Sequence, residues 1–265
     1  MIQGRTVAAI FFDIDGTLLD REHKIEDSTR EGIRQAKENG HQVFLNSGRT
    51  KAYIHDPNLL SMEFDGILCG CGTHVIYHGQ DIVYHQLSRE LAEKTVDICY
   101  RHELPLIMEG RHWLYMDEDM ICRDPYGAWL YHKEAPIIRP IRGNSADWEC
   151  QKFSAAIRGL NYREAAEELS EDYHILDHDG AAMELVPKGY SKATAIRAVC
   201  RAAGIDQTET YSFGDGANDV EMLQYAQYGI AMGNSRTPAL EAADYITDDI
   251  HEAGIYHALQ HFQLI

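Results

Sequence analysis

The stretch from Val7 to Thr17 constrains the fold most. An unbroken apolar run of strand length, Val7–Phe12, leads directly into Asp13-Ile14-Asp15-Gly16-Thr17. Such a run is typical of a strand buried on both faces of a parallel sheet, and ligands of open α/β sheets bind where such strands end. A turn at Gly16 would bring the carboxylates of Asp13 and Asp15 together, which favours a cation site or an acid/base pair. The alternative is a plain Asp-x-Asp-Gly turn.

The length and charge of the chain limit its class. With 265 residues it is longer than one average domain, so one domain with a large insertion fits. The formal net charge of −18 repels nucleic acids and anionic membranes and attracts cations such as Mg²⁺. No apolar run reaches membrane-spanning length, and the six cysteines follow no signal peptide. We therefore expect a cytoplasmic protein with reduced thiols, and the sequence implies no nucleic-acid, membrane or protein partner.

The pattern of apolar residues changes twice along the chain. Residues 1–79 and 188–265 alternate strand-like apolar runs with helical periodicity, which predicts a doubly wound parallel sheet. Residues 80–187 contain short alternating segments, and turns at 109–111 and 177–180 predict antiparallel hairpins. The sequence thus predicts an α/β, Rossmann-like core with an inserted α+β domain at 80–187.

Two helix starts have capping signals. Ser28 and Glu31 form a capping-box pattern for a crossover helix that ends near Asn39-Gly40. Ser191 is the predicted N-cap of a second helix, which Gly204 closes.

Two further apolar strands also end in polar residues. Residues 43–45 lead into Asn46-Ser47-Gly48-Arg49, where Ser47 could donate to a phosphoryl oxygen and Gly48 permits close backbone approach. The alternative is that Ser47 caps a helix from about Thr50. Residues 210–213 lead into Gly214-Asp215-Gly216-Ala217-Asn218-Asp219. All three strand ends would face one edge of the sheet.

Lys192, at the start of the helix before the strand at 210–213, should lie near the same edge. Its ammonium would neutralise both Asp13 and a bound phosphate. The alternative is a solvated surface lysine at a helix end.

Together these motifs resemble those of the haloacid dehalogenase (HAD) superfamily, specifically its Cof-type phosphatases with a C2B-type cap. The closing segments Ala231–Asn234 and Ala243–Thr247 are also similar to that family's, so the resemblance covers Ile10 to about Ile255. It implies an HAD-like core with the inserted domain as the cap. Two departures are Asn46, where a small residue or Thr is common, and Cys69–Thr73, which replaces an Asn-Gly-Ala-like loop.

The resemblance implies a role for each motif residue. Asp13 would be the nucleophile and Asp15 the general acid/base. Asp219 would order Lys192 or a metal-bound water. The residues that bind phosphate or substrate would be Gly16, Ser47, Gly48, Lys192 and Asn218, with Ser47 and Lys192 also catalytic. Mg²⁺ would be held by Asp13, the backbone carbonyl of Asp15, and Asp215.

The implied activity is Mg²⁺-dependent hydrolysis of a small phosphorylated metabolite, a sugar phosphate or phosphorylated cofactor, through an aspartyl phosphate. The acid at Asp15 favours phosphorus chemistry over dehalogenation. Two alternatives stay open: a sugar phosphomutase using the same aspartyl phosphate, and a non-catalytic phosphoacceptor or binding module. Aromatic residues at such spacings are more often core residues than ligand contacts. The candidate substrate contacts in the cap are Arg111, His112, Trp113, Tyr115 and Trp129.

Overall fold

The structure is a computed structural model that describes residues 7–143 and 145–265. Residues 1–6 of the predicted core and residue 144 of the predicted cap lie outside the described residues. The chain forms two compact units. Unit 1 contains the described residues up to Gly48, His55–Tyr84 and Ser191–Ile265, and unit 2 contains Arg49–Ile54 and His85–Tyr190.

The described residues of both units form β-strands and α-helices, numbered here in chain order. The strands are β1 (Ala9–Phe12), β2 (Gln42–Asn46), β3 (Gly66–Cys69), β4 (His74–Tyr77), β5 (Gln80–Tyr84), β6 (Leu106–Glu109), β7 (Leu114–Tyr115), β8 (Ile138–Arg139), β9 (Lys152–Ala156), β10 (Tyr173–His178), β11 (Ala182–Pro187), β12 (Thr210–Gly214), β13 (Tyr228–Ala231) and β14 (Tyr245–Ile246). The helices are α1 (Asp27–Glu38), α2 (Pro57–Leu60), α3 (Arg89–Arg101), α4 (Glu118–Ile121), α5 (Pro125–Lys133), α6 (Arg163–Leu169), α7 (Lys192–Ala203), α8 (Val220–Tyr225), α9 (Thr237–Ala242) and α10 (Gly254–His261). Across 7–143 and 145–265, none of the helices has the length and apolar character needed to cross a bilayer.

Unit 1 is built on one eight-stranded sheet in the order β14-β13-β12-β1-β2-β3-β4-β5. Neighbouring strands from β14 to β3 run parallel, whereas β4 pairs antiparallel with both β3 and β5. All four residues of β1 are buried between β12 and β2, as the continuous apolar run predicts. The predicted α/β fold with a doubly wound parallel sheet is confirmed.

Unit 2 contains a six-stranded sheet in the order β10-β11-β9-β6-β7-β8. Its pairs are antiparallel except β7 with β8. Met108, Phe153 and Leu185 pack with residues of α3 and α6 into one apolar cluster. Ile107, next to Met108 and so on the opposite face of β6, packs with Leu130 of α5 in a second cluster. Both predicted hairpins are present, as β6–β7 and β10–β11.

The two capping predictions have different outcomes. Helix α1 begins at Asp27 after Glu26, so the predicted start at Ser28 is wrong; Ser28 lies inside the first turn, where it cannot act as the N-cap. Helix α7 does follow Ser191: Thr194 N donates to Ser191 Oγ at 3.4 Å, and Gly204 closes the helix in the left-handed conformation. The second prediction is confirmed.

The two structural units differ from the predicted domain boundaries at three segments, the shortest being residues 188–190, which belong to unit 2. Strand β5 pairs with β4 across the turn at Gly79, so Gln80–Tyr84 belongs to unit 1. Arg49–Ile54 belongs to unit 2, where Ala52 packs in the cluster of Ile107 and Leu130. The domain limits at residues 79 and 187 themselves stay a prediction.

Candidate active site

Three neighbouring parallel strands of unit 1 end at polar residues. Phe12 of β1 lies beside Leu45 of β2 and Phe213 of β12 in the register of the sheet. The residues that follow these three positions therefore emerge at one edge. Asp13 is fixed there by its own backbone, because Asp13 N donates to Phe213 O at 2.9 Å. The sheet thus brings together motifs that are about two hundred residues apart in the sequence.

Lys192, the first residue of α7, links two of these motifs. Its Nζ donates to Asp13 Oδ1 at 2.6 Å and to Asp219 Oδ1 at 2.5 Å, and all three side chains are buried. Burial by itself lowers the pKa of Lys192, but the charges of Asp13 and Asp219 outweigh it and raise the pKa above its ordinary value. Lys192 is therefore held as a cation, and the interpretation of Lys192 as a solvated surface lysine is wrong.

Gly16 and Thr17 bring the first motif against Asp215. Gly16 has a φ of +85°, and a Cβ placed on it would lie 2.3 Å from Asp215 Oδ2, so only glycine fits. Thr17 Oγ1 donates to Asp215 Oδ1 at 3.4 Å. Asn234 Nδ2 donates to Gly16 O at 2.7 Å and thereby holds the turn from the other side.

The carboxylates of the site repel each other. Burial raises the pKa of Asp13 well above its ordinary value, and the charges of Asp219, Asp215 and Asp15 add to this, whereas Lys192 opposes it. Burial, with the charge of Asp219, also raises the pKa of Asp215 to about 7 against the opposing effects of Lys192 and Thr17. One lysine therefore compensates the carboxylates only in part.

The donor set fits a hard divalent cation. Carboxylate oxygens of Asp13, Asp215 and Asp219 all lie within 4.8 Å of one another, and Mg²⁺ prefers such oxygen ligands. Asp219 is already engaged, since its Oδ1 accepts from Lys192 and its Oδ2 accepts from the backbone N–H groups of Asp215 and Gly216 at 2.9 Å. Asp13 and Asp215 are thus the side chains best suited to hold Mg²⁺, and their raised pKa values reflect the charge that it would neutralise.

The remaining predicted site residues lie around this centre. Asp15 is exposed, and its turn closes through a hydrogen bond from Gly16 N to Leu19 O at 2.8 Å. Ser47 is buried; its backbone N–H donates to Leu68 O, and its carbonyl accepts from Cys71 N at 3.0 Å. Gly48 follows it and is also buried, while Asn218 is half-buried in a 3₁₀ turn, Ala217–Asp219.

The five candidate cap residues lie in unit 2 in different surroundings. Tyr115 is a core residue whose hydroxyl donates to the carbonyl of Asp147 at 2.9 Å. Trp113 is stacked by the Arg139 guanidinium at 3.7 Å. Arg111 is half-buried, whereas His112 and Trp129 are exposed. Roles for these residues in substrate binding stay predictions.

Two residues of the site were given no role by sequence reasoning. Asn234 comes shortly after the end of β13, so the rule that functional residues lie at strand ends could have found it. Asn46 was noted only as a departure from the family pattern; in the structure its Nδ2 donates to the carbonyl of Lys192 at 3.1 Å. A contact with the backbone of a residue so distant in the chain has no signal in the sequence.

Comparison with known proteins identifies the family. The model of the haloacid dehalogenase-like hydrolases matches residues 10–259. The chain belongs to this family. It is 28% identical over 264 residues to the putative phosphatase YkrA of Bacillus subtilis, covering 97% of this chain and 98% of that protein. It is also 28% identical to the 5-amino-6-(5-phospho-D-ribitylamino)uracil phosphatase YcsE of the same organism, covering 97% and 96%.

Solved structures of haloacid dehalogenases resemble the chain over its full length. The HAD subclass IIB sugar phosphatase BT4131 superimposes with a TM-score of 0.86 at 28% identity, covering 98% of this chain and all of that one. The predicted family and enzyme class, an HAD-type phosphatase with an inserted cap, are confirmed.

Proposed function

We propose that this HAD-type phosphatase is Mg²⁺-dependent and hydrolyses a small phosphorylated metabolite by way of an aspartyl phosphate on Asp13. The observation that supports this most is the buried Lys192, which contacts Asp13 and Asp219 at 2.6 and 2.5 Å beside Asp215. Such a cluster keeps Asp13 oriented and draws a doubly charged cation and a phosphoryl anion to the same place.

The reaction proceeds in two displacements. A carboxylate oxygen of Asp13 attacks phosphorus, the bond from phosphorus to the leaving oxygen breaks, and Asp15 gives its proton to that oxygen. Asp15 then takes a proton from a water molecule, whose oxygen attacks phosphorus and releases phosphate from Asp13. Asp15 suits this role because it is exposed two residues after Asp13, where first the leaving oxygen and then the attacking water can reach it.

The other residues hold the transferred group. Lys192 and Ser47 bind phosphoryl oxygens, with Gly16, Gly48 and Asn218 around them, and Asp219 keeps Lys192 in place. Asp13, Asp215 and the backbone carbonyl of Asp15 would hold Mg²⁺. When bound, Mg²⁺ neutralises charge between the attacking carboxylate and the phosphoryl dianion.

The substrate class follows from the relatives and the charge of the chain. YcsE is named for a phosphorylated ribitylamino-uracil, and BT4131 is a sugar phosphatase. We therefore propose a sugar phosphate or a phosphorylated cofactor as substrate. The net charge of −18 disfavours nucleic acid, and a cytoplasmic location stays a prediction.

A panel of phosphorylated metabolites tests the proposal. Purified protein with Mg²⁺ should release inorganic phosphate from one or more sugar phosphates or phosphorylated cofactors, and a chelator should abolish the release. Turnover that requires a sugar bisphosphate activator would instead indicate a mutase. Absence of any Mg²⁺-dependent turnover across the panel would indicate a non-catalytic phosphoacceptor.

The acid role of Asp15 has its own test. Asp15→Asn should lower kcat/KM by about 10²-fold or more for alkyl phosphates, whose leaving oxygen needs a proton, and much less for 4-nitrophenyl phosphate. Equal losses for the two substrates would remove Asp15 from that role.

A further inference from the structure

A buried amide lies next to the backbone of the lysine at the centre of the site. Asn46, the last residue of β2, is fully buried, and its Nδ2 donates to the carbonyl of Lys192 at 3.1 Å and contacts Met222 Sδ at 3.4 Å. Because the group facing Asn46 is a carbonyl, the NH₂ end of the amide must point toward Lys192. The orientation of this side chain is thereby fixed.

The buried amide oxygen of Asn46 carries a cost in folding free energy. Asn46 Oδ1 is buried and has no hydrogen-bond partner among the described residues. An unpaired buried acceptor destabilises a fold, whereas an apolar side chain at the same position would carry no such cost. The hydrogen bond to Lys192 is the interaction that could offset this cost.

The bond acts at the first residue of α7, where a small shift has a direct effect on chemistry. Ser191 caps the helix, and Gly72 approaches so closely that a Cβ on it would lie 2.4 Å from Ser191 O. Asn46 adds a hydrogen bond to the Lys192 carbonyl from β2, the strand that leads into Ser47. The backbone of Lys192 is thus held from the same strand end that supplies the proposed phosphate-binding hydroxyl.

We infer that Asn46 is a positioning residue that sets the place of the Lys192 ammonium relative to Asp13 and the phosphoryl group. The inference rests on the proposed function, in which Lys192 binds phosphoryl oxygens. Ammonium and hydroxyl donors must be placed within a fraction of an ångström to stabilise a transition state. Loss of the hydrogen bond from Asn46 to the Lys192 carbonyl should therefore lower turnover.

The first test is Asn46→Ala. We expect kcat/KM for 4-nitrophenyl phosphate to fall about 10-fold, and the affinity for orthovanadate, a phosphate-like oxyanion, to weaken in parallel. Met222→Leu is the matched control, because it changes the other neighbour of Nδ2 and leaves the bond to Lys192; its kcat/KM and vanadate affinity should stay near those of the unmodified protein. If Asn46→Ala does not fold, Asn46→Ser, which leaves a smaller cavity, takes its place.

A double-mutant cycle separates positioning from packing. In a Lys192→Ala background the Asn46 substitution should cost no further activity or vanadate affinity, because the group that it positions is gone. The same loss in both backgrounds, or a loss in Met222→Leu as large as in Asn46→Ala, would overturn the inference.

The two readouts also separate this inference from the proposed function. Unmodified protein that binds vanadate but turns over no substrate would overturn the proposed function, and vanadate binding would then decide the role of Asn46. Protein that turns over substrate normally with Asn46→Ala would overturn the inference alone. Protein that neither binds vanadate nor turns over substrate would overturn both.

Discussion

Among the residues that the structure describes, each unit contains a buried lysine between two carboxylates, and the two clusters differ in what surrounds them. In unit 1, Lys192 lies 2.6 and 2.5 Å from Asp13 and Asp219. In unit 2, Lys152 lies 3.1 Å from both Glu109 and Glu184. By ion pairing alone the two clusters look alike.

Their remaining neighbours have opposite effects. Ser154 Oγ donates to Glu109 at 2.8 Å, and His178 Nε2 lies 3.1 Å from Glu184. Burial raises the pKa of Glu184, but Lys152 and His178 outweigh it and hold the pKa below its usual range. Burial does raise the pKa of Glu109, against the opposing effects of Lys152 and Ser154. The cluster of unit 2 is nevertheless supplied with donors for both of its acids.

The cluster of unit 1 has further acids beside the two carboxylates that pair with its lysine. Asp215 and Asp15 add negative charge, and the pKa values of both Asp13 and Asp215 are raised. A buried lysine between two carboxylates is therefore not by itself a sign of function. The surplus of carboxylates at the carboxyl end of a parallel sheet is the feature that distinguishes the candidate active site.

The largest expected effect is on turnover. Asp13→Asn should lower kcat by at least about 10³-fold, because the amide cannot attack phosphorus, while the unfolding midpoint in urea stays near that of the unmodified protein. Asp97→Asn, on the exposed face of α3, is the control and should change neither. Turnover retained in Asp13→Asn would mean that the carboxylate surplus is not the reaction centre.

The second prediction concerns stability. Lys152→Met should lower the free energy of unfolding by about 3–5 kcal/mol, because it leaves Glu109 and Glu184 buried without their cation. Adding Glu109→Gln and Glu184→Gln should restore part of the loss. Urea denaturation measures both. Lys94→Met, which breaks an exposed pair with Asp172 in the same unit, should have little effect; a similar loss there would make the burial of Lys152 irrelevant.

The smallest predicted effect is a difference in pH dependence. Without metal, Asp215 keeps its proton in the folded protein up to about pH 7, but loses it near 3.8 when unfolded. Its contribution to the free energy of unfolding should therefore fall as pH rises from about 4 to 7, by at most about 1.4 kcal/mol per pH unit. Glu184 should act in the opposite sense: its contribution is present above its ordinary value of 4.5 and is lost as pH falls below it.

Urea titrations in a chelator over pH 3–8 would check this difference. Asp215→Asn should reduce the decline between about pH 4 and 7, leaving the part that comes from the raised pKa values of Asp13 and Glu109. Glu184→Gln should reduce the loss at acid pH. Added Mg²⁺ should flatten the decline in the unmodified protein, because it favours the ionised carboxylates. A decline of the same size in Asp215→Asn would assign it to those other acids and not to Asp215.

Much of the fold can be read locally because strand and helix periodicity are local properties. The apolar runs before Asp13 and Asp215 predict buried parallel strands, and the ends of such strands share one edge, so the place of the site follows from the sequence. Helices α4 and α5 were not predicted, because their short segments lack a clear apolar period. The start of α1 was misplaced for a related reason: Ser28 and Glu31 fit a capping pattern that the backbone does not adopt there.

The sequence by itself determined the strands, the edge at which they end and the residue types gathered there. Only the tertiary structure decided that Lys192 reaches both Asp13 and Asp219, that Gly16 leaves room for Asp215, and that Asn46 contacts the backbone of Lys192. The physical reason is the separation along the chain between the residues that interact. Periodicity is a property of a few neighbouring residues. Most of these contacts instead depend on how elements that are about 150 to 200 residues apart in the sequence pack side by side.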